Sequence, residues 1–241
     1  MNTKDLLNKK ILGQTRKAAQ DYNMIEENDR IAIGVSGGKD SMSLLYALSL
    51  LQKFYPVRFE LHAITIMSGL NDFDPAPLRS FIDSLEIPYT IEETYIGKLV
   101  FEIREESNPC SLCANMRRGA LNNIALANNC NKVALGHNRD DVIETYMMSM
   151  LYAGRLQTFS PVTHMDRKNV HIIRPFIYCK EHDILGYANQ NQLPVLKNPC
   201  PYAGKSKRQE IKEMLRDMTK NNPDVKSNIF GAIQRSNQWG W

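Results

Sequence analysis

The stretch IAIGVSGGKDSMSLLYAL, Ile31 to Leu48, decides how the rest of the chain is read. A short β-branched apolar run, Ile31 to Val35, meets two adjacent glycines and then an apolar segment long enough for a helix. That is the order strand, tight turn, helix. Gly37 and Gly38 let the backbone turn sharply and approach an anion without a Cβ in the way. The helix start that follows offers unpaired N–H groups and the positive end of its dipole. Ser36 and Ser41 add hydroxyls and Lys39 a point charge. Asp40 would repel phosphate unless a cation stood between them, which makes it a candidate Mg²⁺ ligand. A Walker loop fails, because Gly34 and Gly38 are separated by three residues and Lys39 is followed by Asp40. No Gly-x-Gly-x-x-Gly is present either.

Outward from this loop the same alternation repeats. RFELHAITI (58–66) and IPYTIEE (87–93) read as strands around a helix that starts near Asp74 and Pro75. CSLCANMRRGALNNIALANN (110–129) reads as a helix and KVALGHN (132–138) as a short buried strand. DDVIETYMMSMLYAG reads as a long helix ended by Gly154. VHIIRPF (170–176) is strand-like, KEHDILGYANQNQ (180–192) helical, and PVLKN (194–198) a short extended piece. Strands separated by helices of this length need crossover connections, which predicts an α/β fold with a mainly parallel sheet covered on both faces. An amphipathic helix is expected over residues 4–22, and two helices flanking Pro223 over the end of the chain, outside the sheet. The boundaries expected are a helical extension over 1–28, a catalytic domain over 29–204 and a basic helical extension over 205–241.

The chain has 241 residues and a formal net charge of +4, concentrated at one end. From Lys197 onward nine Lys and Arg face four acids, so the remainder is near neutral and the tail suggests a polyanion-facing surface or a solvated helix. There is no apolar run of membrane-spanning length, and the start, MNTKDLLNKK, lacks the apolar core of a signal peptide. A cytosolic protein is therefore expected. Five cysteines in such a chain argue for reduced thiols or a metal site. Cys110 and Cys113 form a Cys-x-x-Cys, a spacing that serves zinc, iron–sulfur or redox chemistry, and Cys200 stands in NPCPY. Cys130 and Cys179 read as small buried hydrophobes.

ALGHNRDDVIETY puts His137, Asp140 and Asp141 at a strand-to-helix junction. His137 is either a core histidine or a group near the α-phosphate of a nucleotide. The aspartates either cap the helix or, in the case of Asp141, act as an acid–base or cation-binding group. Arg117, four residues past Cys113, returns to the face of that cysteine on a helix and could steady phosphate or RNA.

SGGKDS resembles the PP-loop of ATP pyrophosphatases. Taken in order, SGGKDS, CSLCANMRRGAL, GHNRDD and the late cysteine in NPCPY resemble the tRNA 2-thiocytidine biosynthesis (TtcA) family, over roughly Asp29 to Gln238. The resemblance implies an adenine nucleotide alpha hydrolase-like (HUP-type) fold. It implies that Ser36, Gly37, Gly38, Lys39, Asp40, Ser41 and His137 serve ATP and Mg²⁺, with Asp141 in the chemistry; Asp40 and, from its helical spacing, Arg117 are the other catalytic candidates. It further implies that Cys110, Cys113 and Cys200 ligate a 4Fe-4S cluster with one open iron. Many members carry a second cysteine after the late one, whereas Pro201, Tyr202 and Ala203 follow Cys200 here. The expected reaction is adenylation of the C2 oxygen of a tRNA cytidine, at position 32 of the anticodon loop, and its replacement by sulfur. Partners implied are tRNA, a sulfide source (a cysteine desulfurase or free sulfide) and a second copy of the chain as a homodimer. The alternatives are an enzyme of this fold with another substrate, such as a small-molecule thiolase or desulfurase or a lysidine-type ligase, and a non-catalytic nucleotide or metal sensor that binds RNA.

Overall fold

In the computed structural model, which describes residues 3–69, 74–103, 109–166, 168–196 and 207–241, the described strands form one six-stranded sheet. Its strands are β1 (Asp29–Gly34), β2 (Phe59–Met67), β3 (Tyr89–Glu93), β4 (Lys132–Ala134), β5 (Val162–Met165) and β6 (Val170–Ile173), in the spatial order β3-β2-β1-β4-β6-β5. All neighbouring pairs are parallel except β5 with β6. The helices are α1 (Thr3–Asp21), α2 (Lys39–Leu51), α3 (Ala76–Ser84), α4 (Ile96–Lys98), α5 (Pro109–Ala127), α6 (Arg139–Ala153), α7 (Glu181–Gln190), α8 (Lys207–Asn221) and α9 (Val225–Arg235). A π-helical turn, Leu99–Ile103, continues α4. The alternating, mainly parallel architecture expected from the sequence is the one observed. The antiparallel β5 was not among the expected strands; only four residues long and half-buried, it carries no sustained period-2 pattern.

The strands alternate their side chains between two apolar layers, as a period of two requires. Ile31, Ile33, Leu61, Ala63, Ala134 and Ile173 enter the larger core with α1, α2, α6 and α7. Ala32, Ile64, Val133 and Ile172 face the other side, against Leu121 and Ala125 of α5. Each fully buried Ile or Leu in these layers contributes about 1.5–3 kcal/mol relative to an exposed one. In α2, Met42, Leu44, Leu45, Leu48 and Leu51 are all buried, because the helix lies between the sheet and α1 and α7. Both terminal extensions share this core. Ile11, Ala18 and Ala19 come from α1, Ile211 and Leu215 from α8, and Phe230 and Ile233 from α9. Gly154 ends α6 in the left-handed conformation. Of the expected extended piece 194–198, residues 194–196 form no strand, and the rest lies outside the described residues.

Candidate active site

β1 and β4 are the neighbours at which the strand order reverses, and open α/β sheets bind ligands in the crevice beyond the carboxyl ends of such a pair. The loop Ser36–Ser41 follows β1 and the loop Gly136–Asp141 follows β4, so both phosphate motifs reach this crevice. The two loops touch backbone to backbone. A Cβ on Gly136 would lie 3.0 Å from the carbonyl carbon of Asp40, 3.1 Å from its oxygen and 3.2 Å from the Ser41 nitrogen. Gly136→Ala therefore has to push the Asp40 peptide away, and we expect a phosphate-bearing ligand of the crevice to bind about tenfold more weakly. The melting temperature should change far less; an unchanged affinity would show that the loop spacing is not critical.

Gly37 adopts φ +77°, a conformation that strains any residue with a Cβ, and its carbonyl accepts a hydrogen bond from Leu196 N at 2.9 Å. The Ser41 hydroxyl closes the loop from inside, accepting from Ser36 N at 3.1 Å and donating to Gly38 O at 3.0 Å. The Ser36 and Ser41 hydroxyls lie 3.1 Å apart. α2 begins at Gly38 with no side-chain cap, which leaves its first-turn N–H groups facing the crevice for an anion. α6, by contrast, is capped. Asn138 Oδ1 accepts from Asp140 N at 2.9 Å and Asp141 N at 3.2 Å, and Asp141 Oδ2 accepts from Asn138 N at 2.9 Å. Asn138 Nδ2 then donates to Asp40 Oδ1 at 3.2 Å, so one buried amide joins the two loops.

Charges from distant parts of the chain complete the site. Lys39 Nζ lies 2.8 Å from Asp40 Oδ2 and 3.0 Å from Glu181 Oε1. Burial disfavours its charge, but Asp40 and Glu181 outweigh that and hold its pKa above the ordinary lysine value. Glu181, at the start of α7, also pairs with Lys212 of α8 at 2.6 Å. Asp140 accepts from Glu181 N at 2.8 Å and pairs with Lys226 of α9 at 2.7 Å. Arg208 Nη1 lies 3.0 Å from Asp141 Oδ1 and 3.8 Å from Glu144 Oε2, while its Nη2 donates to the Thr145 hydroxyl at 3.1 Å. Three cations of the basic tail, Arg208, Lys212 and Lys226, are thus paired with carboxylates of the crevice.

Burial pushes the Asp141 carboxyl up. It pushes Glu144 to about 7, with the neighbouring Asp141 charge adding to the effect. Glu144 binds a proton in the fold that it releases in the unfolded chain between its ordinary value of 4.5 and about 7, so stability falls as pH rises through that window. Glu144→Gln should remove up to about 3 kcal/mol of this loss. The check is a smaller drop in melting temperature between about pH 5 and about pH 8 than in the parent; an identical drop would exclude Glu144 as its source.

His137 stacks on Phe159 with ring centroids 4.9 Å apart, and its Nδ1 accepts from Arg174 Nε at 3.3 Å. Burial, with Arg174, Arg208 and Arg118 nearby, pulls its pKa down to about 3. The imidazole is therefore neutral, with its proton on Nε2. Burial lowers Arg174 to about 10, which leaves it charged at neutral pH. Arg174 is further fixed by the Ser160 carbonyl at 2.6 Å and the Thr163 hydroxyl at 3.0 Å. Arg118, rather than Arg117, is the α5 arginine felt at His137 and Arg174; both arginines are exposed.

Cys110 and Cys113 occupy the first turn of α5, one turn apart, so their Cβ atoms are about 5–6 Å from each other. α5 runs back along the sheet into β4, which places this first turn at the same edge as the phosphate loop. Cys110 is exposed, and Cys113 is buried with Ile96 and Val100, against Ile66 near the end of β2. Cys200 lies outside the described residues; Leu196, four positions before it, is bonded to Gly37. Cys130 and Cys179 are buried, and burial pushes the Cys179 thiol up to about 12. Among the described residues no helix is long and apolar enough to cross a membrane.

A PP-loop domain family model matches residues 8–218. The tRNA-cytidine(32) 2-sulfurtransferase of Geotalea uraniireducens is 39% identical over 232 residues, covering 95% of this chain and 92% of that protein. That of Teredinibacter turnerae is 40% identical over 233 residues, covering 95% and 76%. Among solved structures, the U34-tRNA thiolase NcsA from Methanococcus maripaludis, solved with its 4Fe-4S cluster, aligns with a TM-score of 0.81 at 30% identity, over 96% of this chain and 79% of that one. An NAD⁺ synthetase from Burkholderia pseudomallei, at 12% identity and a TM-score of 0.54, shares the fold alone. The chain belongs to the PP-loop family, among the tRNA-cytidine(32) 2-sulfurtransferases.

Proposed function

We infer that the protein is an ATP-dependent tRNA sulfurtransferase that replaces the C2 oxygen of a cytidine, at position 32 of the anticodon loop, with sulfur. The observation that carries this reading is the placement, at the same edge of one mainly parallel sheet, of an uncapped helix start behind Ser36–Ser41 and a helix start bearing Cys110 and Cys113. The cytidine O2 attacks the α-phosphorus of ATP; the new O–P bond forms as the bond to the β-phosphate oxygen breaks, and pyrophosphate leaves with the electron pair. Sulfide then adds at C2, and AMP departs with the original oxygen.

The uncapped N–H groups of α2 and the Lys39 ammonium face the charge that grows on the leaving pyrophosphate, where fixed donors act most strongly. Asp40 would hold Mg²⁺ between itself and those phosphates. The neutral His137 offers Nε2–H as a donor without adding a charge, and Asp141, raised by burial, exchanges a proton at the cytidine. Cys110 and Cys113 fit an iron–sulfur cluster: two thiols one turn apart, one at the surface and one in an apolar wall. With Cys200 they would hold it by three ligands, and the group when bound supplies an open iron for sulfide, delivered free or by a cysteine desulfurase. Incubation with ATP, Mg²⁺, sulfide and tRNA under anaerobic conditions should yield 2-thiocytidine, read by nucleoside mass spectrometry, with equal AMP and pyrophosphate. Absence of AMP and pyrophosphate would overturn the reading.

A further inference from the structure

Beside the crevice lies a second cavity, of about 450 Å³, that the nucleotide chemistry does not use. Its walls carry Arg139 of α6, Lys180 ahead of α7, Arg216 and Lys220 of α8, and Lys226 of α9. The one carboxylate on its walls among the described residues, Asp140, is already engaged by Lys226 and by Glu181 N. The first turns of α7 and α9 supply His182 and Ser227 to the lining; the first N–H of α7 is held by Asp140, and α9 starts without a side-chain cap. One uncapped helix start and a cluster of cations thus border one space, the arrangement that favours a phosphate. Arg139 is half-buried and its guanidinium is held over the Phe230 ring at 5.6 Å, which fixes one of these cations on the wall.

We propose that this cavity holds a backbone phosphate of the RNA substrate, adjoining the nucleotide being modified. The inference rests on the sulfurtransferase reading and adds the place where the strand is gripped. Arg139 and Asp140 stand next to Asp141 in α6, so a phosphate seated here fixes the register of the strand against the reacting base. Phosphate in a positive cavity contributes affinity that salt weakens, with a slope of log K against log salt of about 0.7–0.9 per contact.

The test is the double variant Arg216→Ala/Lys220→Ala, at exposed positions outside the crevice. Its dissociation constant for tRNA should rise about tenfold and its salt slope fall by about one or more. The rate at saturating tRNA and the KM for ATP should stay at parent values, and Arg216→Lys/Lys220→Arg should restore affinity. Parent-like tRNA affinity and salt slope in the double variant would remove the cavity from RNA binding and leave the enzymatic reading intact. A change in inhibition by pyrophosphate, with tRNA affinity unaltered, would assign the cavity to a free phosphate and overturn the RNA assignment. A parent protein that neither binds nor thiolates tRNA would remove both readings.

Discussion

Changing Cys200→Ala is expected to lower sulfur incorporation by more than about 100-fold, beyond the 10- to 100-fold that loss of an outer-shell partner costs a metal site. ATP affinity should stay within about twofold, because the phosphate loop closes through its own serines. On the proposed reading, Cys110 and Cys113, neighbours on one helix, would need a third thiolate from elsewhere in the chain to hold a cluster. The two remaining cysteines make the comparison sharp. Cys130→Ala and Cys179→Ala remove buried thiols that pack as hydrophobes, and each should retain activity at a modest cost in stability. Iron content, ATP binding and thiolated nucleoside are the three readings. Full thiolation by Cys200→Ala would remove that residue from the chemistry.

Asp40→Asn is expected to lower kcat by about 10²- to 10³-fold, the scale of losing one fixed charge from transition-state stabilisation. The asparagine keeps the shape of the side chain and the contact with Asn138. It removes the negative charge that offsets Lys39 and that would bind the cation. Lys39 keeps Glu181 as a partner at 3.0 Å, so the loop should stay folded. The variant should need several times more Mg²⁺ for half-maximal rate, which a purely structural role would not produce. A Mg²⁺ titration superimposable on the parent's would place the cation elsewhere.

Locally encoded features were legible in the sequence, and those made by distant residues were not. Ser36–Ser41 could be read because Gly, Ser, Lys and Asp at a strand-to-helix turn act within six positions. Asn138 could have been found the same way: an asparagine three residues before Asp141 is a capping-box pattern, and it proves to be the amide that joins the two loops. Glu181 meets Lys39 across 142 positions, and Arg174 meets His137 across 37, with no periodicity to announce either. Glu144 sits on α6 among apolar neighbours and reads as an ordinary helical glutamate until Asp141 and Arg208 are placed beside it. The inward pairing of Arg208, Lys212 and Lys226 depends on how α8 and α9 dock on α6, which composition does not specify.

That docking has a consequence for biosynthesis. On the ribosome the phosphate loop and the GHNRDD junction emerge long before α8 and α9, so Asp140, Asp141 and Glu181 first meet without Arg208, Lys212 and Lys226. Like charges crowded at one crevice repel, and the same repulsion opposes a polyphosphate there. A chain still lacking α8 and α9 holds those carboxylates without their partners, so docking of the last two helices is what makes the crevice compatible with an anion.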